Sequence, residues 1–320
     1  MKKTVLWGIL STARINRRLI PELHASDRCA LAGVASRDPE RGRAYAGEWK
    51  IPRSYGSYEA LLADPDIDVV YIPLPNDLHT PWVVRALESG KHVLCEKPLC
   101  LSAHELGIIR RVSAHTGKSV MEAFMYRHHP QTALFKQIVE DGLLGPLRAM
   151  YSEFAATINR PPDNYRMDAE RGGGVLWDIG VYPISLFRYL DTSQVRGTAA
   201  RATFEHGIDK NVWGRLDFAS GVTAQFFASF ESEYSTRTSI MGVKGRLDIT
   251  HPFNGTHDCQ AWITVDGKRT ALSLPQASLY AGEIENMNDV VLQNRSPLFT
   301  LDNSWQVLEV VERIRGQISQ

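Results

Sequence analysis

His92-Val93-Leu94-Cys95-Glu96-Lys97-Pro98 reads as a short buried strand closed by a carboxylate, an ammonium group and a proline. Its apolar residues run on without alternating, as in a strand covered on both faces, which is the habit of parallel sheets. Lys97 then stands at the carboxyl end of the strand, the edge at which open parallel sheets bind ligands. A lysine there can hold a substrate hydroxyl, carry charge beside a cofactor, or stand as a solvated loop residue. The rest of the chain has to decide among these.

The same grammar repeats on both sides of that stretch. Val5-Leu6-Trp7-Gly8-Ile9, Ala30-Leu31-Ala32-Gly33-Val34, Val69-Val70-Tyr71-Ile72 and Ser119-Val120-Met121 are further continuous apolar runs. Amphipathic segments near 14–26, 39–49, 57–63, 79–89 and 102–116 read as helices between them, with Gly90 and Gly117 as C-terminal stops. This alternation predicts right-handed crossovers and an α/β domain over residues 1–122, built on a doubly wound parallel sheet.

After residue 122 the pattern changes. A helix near 130–141 and a strand near 148–157 lead into a polar loop from Asn159 to Arg171, then a triple glycine and another helix. From 195 to 274 short strands succeed one another through the turn signals Ser220-Gly221 and Asp266-Gly267. They predict an α+β domain over 123–320 on a large, mainly antiparallel sheet. Its aromatic residues Trp213, Phe218, Phe226, Phe227 and Phe230 require a helix or another subunit over at least one face. Two helices near 280–293 and 303–316 close the chain.

Bulk properties exclude several classes. Lys plus Arg and Asp plus Glu both number 36, so no broad field favours nucleic acid or an anionic membrane surface. The four cysteines, Cys29, Cys95, Cys100 and Cys259, have no metal-type spacing, and no metal is expected. No apolar run approaches the ~20 residues of a membrane span. Met1-Lys2-Lys3 followed by Thr4 to Leu10 imitates a signal peptide, but the apolar run is short and Arg14, Arg17 and Arg18 follow at once. A first strand and a cytoplasmic protein with reduced thiols are the expectation.

Three strand ends in the first domain carry candidate binding residues. The first strand runs into Gly8-Ile9-Leu10-Ser11-Thr12-Ala13-Arg14-Ile15, placed as a dinucleotide loop would be, although Leu10 and Ala13 replace the second and third glycines of G-x-G-x-x-G. A plain strand-to-helix turn competes. The second strand ends in Ser36-Arg37-Asp38, where an NAD site usually has an acidic residue and a hydroxyl with a guanidinium suits a 2′-phosphate. Asp38 before Pro39 also reads as a helix cap. Pro73-Leu74-Pro75-Asn76-Asp77-Leu78-His79 leaves the next strand on an extended path, with Asn76 or Asp77 able to cap a helix and His79 able to serve as a local partner.

The densest signal of the second domain is Arg171-Gly172-Gly173-Gly174-Val175-Leu176-Trp177-Asp178-Ile179-Gly180-Val181-Tyr182-Pro183. Glycines permit close backbone approach and then open a helix, on which Asp178 and Tyr182, four apart, share a face. Pro183 must disturb that helix. A carboxylate and a phenol so placed can orient a polyol and exchange a proton with it, provided the phenol is tuned from its reference pKa of ~10.

Taken together, the Gly8 loop, Pro75-Asn76 with His79, Glu96-Lys97-Pro98, Glu122-Ala123-Phe124-Met125-Tyr126-Arg127, and Gly172-Gly173-Gly174 followed by Asp178 and Tyr182 resemble the glucose-fructose oxidoreductase, inositol dehydrogenase and rhizopine-catabolism (Gfo/Idh/MocA) family along essentially the whole chain. The resemblance implies a Rossmann domain followed by an open-faced sheet that commonly mediates homodimers or homotetramers. It implies cofactor contacts from Gly8, Ser11, Thr12, Ala13, Arg14, Ile15, Ser36, Arg37, Leu74, Pro75, Asn76, His79, Glu96 and Lys97, with NADP as cofactor and NAD as the alternative. Lys97 matches the family's active-site lysine and Asp178 its substrate-orienting carboxylate. Tyr182 falls where many members, including the inositol dehydrogenases, place a catalytic histidine, and a tyrosine there looks more like the glucose-fructose oxidoreductase, dimeric dihydrodiol dehydrogenase and NADP-dependent xylose dehydrogenase branches. Arg166 is a substrate contact or a structural ion pair. The expected activity is hydride transfer to or from a secondary alcohol or lactol of a sugar, polyol or cyclic diol. A sugar- or dinucleotide-sensing regulator and an NAD-dependent glycosidase are the alternatives.

Overall fold

The computed structural model describes residues 4–158, 160–161, 163–255 and 259–318; Met1 to Lys3 and Asn159, which figured in the sequence reading, lie outside them. The chain forms two compact units, Met1–Met125 with Tyr280–Ser304, and Tyr126–Leu279 with Trp305–Gln320.

In the first unit the continuous apolar runs are strands of one parallel sheet: β1 (Val5–Leu10), β2 (Cys29–Ala35), β3 (Arg53–Tyr55), β4 (Val69–Ile72), β5 (His92–Glu96) and β6 (Val120–Ala123), in the order β3-β2-β1-β4-β5-β6. β3 is a three-residue edge strand that the apolar pattern did not announce; it pairs Gly33 to Ala35 with Arg53 to Tyr55. Helices α1 (Asn16–Ala25), α2 (Pro39–Glu48), α3 (Tyr58–Leu62), α4 (His79–Glu88) and α5 (Ala103–Thr116) alternate with the strands. Local chemistry sets their ends. Ser57 caps α3, and Ser102 caps α5 by accepting from Glu105 N at 3.2 Å while the Glu105 carboxylate accepts from Leu101 N at 2.7 Å, a variant of the capping box set one residue earlier. Gly117, in the left-handed region, stops α5. The strand order reverses between β1 and β4, which creates a crevice outside the carboxyl ends of these strands.

The second unit holds α6 (Pro130–Glu140), β7 (Leu147–Ala155), α7 (Val181–Leu190) and seven further strands: β8 (Val195–Glu205), β9 (Ile208–Phe218), β10 (Thr223–Ser229), β11 (Ser235–Gly242), β12 (Gly245–Thr250), β13 (Gln260–Val265) and β14 (Lys268–Ala271). They form one sheet in the order β14-β13-β12-β11-β7-β10-β9-β8. Its pairs are antiparallel except β7 with β10, which run parallel, so the sheet is mixed at that one join. Two-residue periodicity sorts the faces. Val212, Leu216, Phe226, Ala228, Ile240 and Leu247 are buried, and α7, apolar nearly all round, packs on β7 and β10. The strand aromatics divide between the faces: Phe218, Phe226 and Phe230 are buried, while Trp213 stays 44% exposed and stacks on Phe227 at 5.1 Å between centroids.

The chain then returns to the first unit through α8 (Ala281–Gln293), and α9 (Leu301–Ile318) ends it. Trp7 Nε1 donates to Asn288 Oδ1 at 3.1 Å, and Arg28 reaches Glu285 at 2.8 Å and Asp289 at 2.5 Å. These contacts fasten α8 beside α1 and β1.

Candidate active site

In the first unit, the candidate residues stand along one edge of the parallel sheet. Gly8 lies inside β1 rather than in the loop; a Cβ there would meet Leu61 Cδ2 at 2.8 Å, so its small size serves strand-to-helix packing. The positive φ that the loop needs belongs to Ser11, at 95°, whose carbonyl accepts from Asn16 Nδ2 at 2.9 Å. Helix α1 follows with no side-chain cap and no acidic residue in its first turn. The Asn16, Arg17 and Arg18 amides donate to Ala13, Arg14 and Ile15 O at 3.2, 3.3 and 2.8 Å, so it is the turn of Ser11, Thr12, Ala13, Arg14 and Ile15, at the positive end of the helix, that suits an anionic group.

At the tip of β2, Asp38 accepts from Glu40 N at 3.0 Å and Arg41 N at 3.1 Å, which commits this carboxylate to capping α2. Ser36 is buried and its hydroxyl accepts from Asp38 N, while Arg37 is exposed. A tip whose carboxylate is spent on a cap, with the exposed Arg37 guanidinium beside it and near the Tyr58 phenol, fits a phosphate ester better than a bare ribose. At the tip of β4, Pro75 leads into a 3₁₀ turn, Asn76–Leu78, and the residue at the N-cap of α4 is Leu78, with no side-chain cap. Neither Asn76 nor Asp77 is the cap the sequence suggested. His79 is wholly buried, with its ring nitrogens 2.7 Å from Pro98 O and 2.8 Å from Leu74 O. Burial pushes its pKa down, and the ring ties the β4 loop to the stretch after β5.

Lys97 follows β5 directly, joined to Pro98 by a cis peptide bond. Carboxyl groups surround this turn. Glu96 accepts from Tyr71 OH at 2.5 Å, and Glu122, buried, accepts from Leu99 N at 3.0 Å. Burial raises the Glu122 pKa, and the charge of Lys97 opposes that rise.

In the second unit the triple glycine has visible causes. A Cβ at Gly173 would lie 2.6 Å from Asp168 O and 2.7 Å from Arg166 O, so the glycine lets the preceding loop lie against it. Leu176–Gly180 is a π-helical turn that passes into α7. Pro183, three residues into α7, has no N–H to give one turn back, and the widened turn just before it accommodates that loss. Asp178 lies in the π turn, 9% exposed, and Arg166 Nε donates to its Oδ2 at 2.9 Å. Tyr182, 7% exposed, is enclosed by the rings of Phe154 at 5.3 Å, Phe253 at 5.4 Å and Tyr126 at 5.8 Å. Tyr126 OH donates to Tyr182 O at 3.3 Å, which fixes the backbone that carries the phenol.

Residues 5–124 match the oxidoreductase family with an NAD-binding Rossmann fold, Gfo/Idh/MocA, and residues 132–248 match the C-terminal domain of the same family. The chain belongs to the Gfo/Idh/MocA oxidoreductase family. It is 36% identical to the D-xylose 1-dehydrogenase (NADP(+)) 2 of Haloferax volcanii, over 97% of this chain and 96% of that one. It is 29% identical to the trans-1,2-dihydrobenzene-1,2-diol dehydrogenase of Sus scrofa, over 98% and 96%. Among solved structures, a 3-ketoreductase from Actinomadura kijaniata in complex with NADP and TDP-benzene superposes with a TM-score of 0.90 at 29% identity, covering 98% of each chain. The aldose-aldose oxidoreductase of Caulobacter crescentus, complexed with glycerol, gives a TM-score of 0.92 at 25% identity, covering 98% of this chain and 97% of that one.

Two features of this family member escaped the sequence reading. Phe154 and Phe253 wall Tyr182, yet stand 28 and 71 positions from it, with nothing local to link them. Asp209, on β9, accepts from Leu176 N at 2.7 Å and holds the amino end of the π turn. An aspartate at the start of a strand was the available signal.

Proposed function

We propose that this chain is an NADP-dependent oxidoreductase acting on a secondary alcohol or lactol carbon of a sugar, polyol or cyclic diol. NADP, when bound, would supply the hydride acceptor or donor for that carbon. Tyr182 exchanges the hydroxyl proton, Asp178 holds a neighbouring hydroxyl, and Lys97 eases the loss of the phenolic proton. Ser36 and Arg37 receive the 2′-phosphate, and the amino end of α1 receives the pyrophosphate.

The observation that carries this reading is the phenol of Tyr182 set in an apolar aromatic enclosure on the same helical segment as an ion-paired carboxylate. That enclosure suits a ring or carbon skeleton, and the Asp178–Arg166 pair suits the hydroxyls on it. The relatives named above act on an aldose and on a cyclic diol, which supports the same substrate class. Arg166 then serves as the partner that aims Asp178, with substrate contact secondary.

The outer face of the large sheet carries Trp213, Phe227 and the half-exposed Tyr151, and we assign it to homo-oligomer formation. No helix of the described residues is long and apolar enough to cross a membrane, and a cytoplasmic enzyme is consistent with four free, buried cysteines.

A cofactor-reduction screen of aldoses, inositols and cyclic diols, each with NADP and with NAD, tests the proposal. Accumulation of NADPH with at least one of these substrates is expected. Absence of turnover across the panel would move the protein to a sensing role, and a strong NAD preference would overturn the assignment of Ser36 and Arg37.

A further inference from the structure

We propose that Asp209 is a positioning residue of the active site: from β9 its carboxylate anchors the amino end of the π turn and thereby sets where Asp178 and Tyr182 stand. This inference rests on the assignment of those two residues to the site.

The carboxylate touches the turn on two sides. Its Oδ2 accepts from Leu176 N at 2.7 Å, and the Val175 amide also favours its ionised form. At Gly174, where φ is +105°, a Cβ would fall 2.1 Å from Asp209 Oδ1. The third glycine of the run therefore leaves room for this side chain. The Gly174 carbonyl in turn accepts from Asp178 N at 3.2 Å, so a continuous path leads from Asp209 through Gly174 and Leu176 to Asp178.

An ordinary N-cap is supplied by the residue just before its helix and fixes only where the helix begins. Asp209 is 33 positions downstream on β9, which is paired on both sides by β10 and β8, so it fixes the turn against the sheet as well. The charge is held in place from behind. Burial pushes the carboxyl pKa up, the backbone amides and Arg315 pull it down, and Arg315 lies 5.3 Å over the Trp177 ring. π turns are rare and occur mostly as single turns, frequently at functional sites, and this one carries an external fixture.

The test compares Asp209→Asn, Asp209→Ser and Asp209→Ala with Tyr182→Phe in the full chain. Two readouts are taken on variants that retain a cooperative melt: amide hydrogen exchange over residues 174–182, and kcat and KM for NADP reduction with D-xylose or trans-1,2-dihydrobenzene-1,2-diol, whichever the native enzyme oxidises faster. Exchange should rise at least tenfold for Ala and less for Ser and Asn, in order of lost acceptor capacity. Turnover should fall in the same order, by on the order of 100-fold for Ala, the penalty of a displacement near 1 Å, with the KM for NADP unchanged. Unchanged exchange, or kcat equal among the folded variants and the native enzyme, overturns the proposal. Should Ala fail to fold, equal values for Asn and Ser overturn it. Full turnover by Tyr182→Phe would instead remove the site assignment, while the exchange data would still report on the anchor.

Discussion

Arg166 Nε donates to Asp178 Oδ2 at 2.9 Å, so the carboxylate predicted to orient substrate carries its own counter-charge. The Asp178 side chain is 12% exposed and that of Arg166 28%. Removal of the guanidinium takes a charged, hydrogen-bonded partner from a largely buried carboxylate, which costs roughly 1–3 kcal/mol. Arg166→Met is expected to lose stability by about that amount in urea unfolding and to lower kcat/KM about 10- to 100-fold. A variant with native kinetics would show that the pair is only structural.

Cofactor choice should respond to the tip of β2. Asp38 is engaged with Glu40 N and Arg41 N, so Arg37 is the charged group left to meet a 2′-phosphate. A charge-assisted contact of this kind is worth about 1.5–3 kcal/mol, and each ~1.4 kcal/mol is tenfold in affinity. Arg37→Ala is expected to raise the KM for NADP about 10- to 100-fold while the KM for NAD stays within about twofold. Steady-state assays with both dinucleotides check this, and equal changes for both would contradict it.

Glu283 on α8 is wholly buried, and both its carboxyl oxygens lack a hydrogen-bond partner. Tyr71, Glu96 and Tyr280 interact with it, and Arg18 acts on Tyr280. Burial first, and then the charge of Glu96, raise its pKa well above the usual 4.5. The folded pKa is the higher one, so the unfolded chain releases this proton first. Stability from this group is fully present below pH ~4.5 and is lost as pH rises towards the folded pKa, at up to about 1.4 kcal/mol per pH unit. Glu283→Gln should therefore be more stable than the native protein at pH 8, with the gap closing towards pH 4.5. Urea midpoints across that range measure it, and a constant difference would contradict it.

Much of this was legible in the sequence where the signal is local. Continuous apolar runs gave β1, β2, β4, β5 and β6, and Asp38 before Pro39 announced the cap of α2. β3 was not legible, because three half-buried residues make no run. Gly8 looked like a loop glycine because position along the chain cannot distinguish a strand glycine under Leu61 from a phosphate loop, and the positive φ falls on Ser11. Arg166 could be read as a substrate contact or an ion pair, and only coordinates bring it to Asp178. The π turn, the aromatic enclosure of Tyr182, the anchor at Asp209 and the return of α8 to the first unit all depend on residues far apart in sequence, for which neither periodicity nor spacing carries a signal.

The most direct test of the proposed chemistry is turnover by Tyr182→Phe and Lys97→Ala beside NADPH binding measured by fluorescence titration. Loss of the proton-exchanging phenol or of its assisting ammonium is expected to lower kcat by roughly 10²- to 10⁴-fold, the usual worth of general acid–base catalysis. Tyr182→Phe should bind NADPH as the native protein does, and Lys97→Ala within a few-fold of it. Native turnover in both variants, with binding intact, would contradict the assignment of Tyr182 and Lys97.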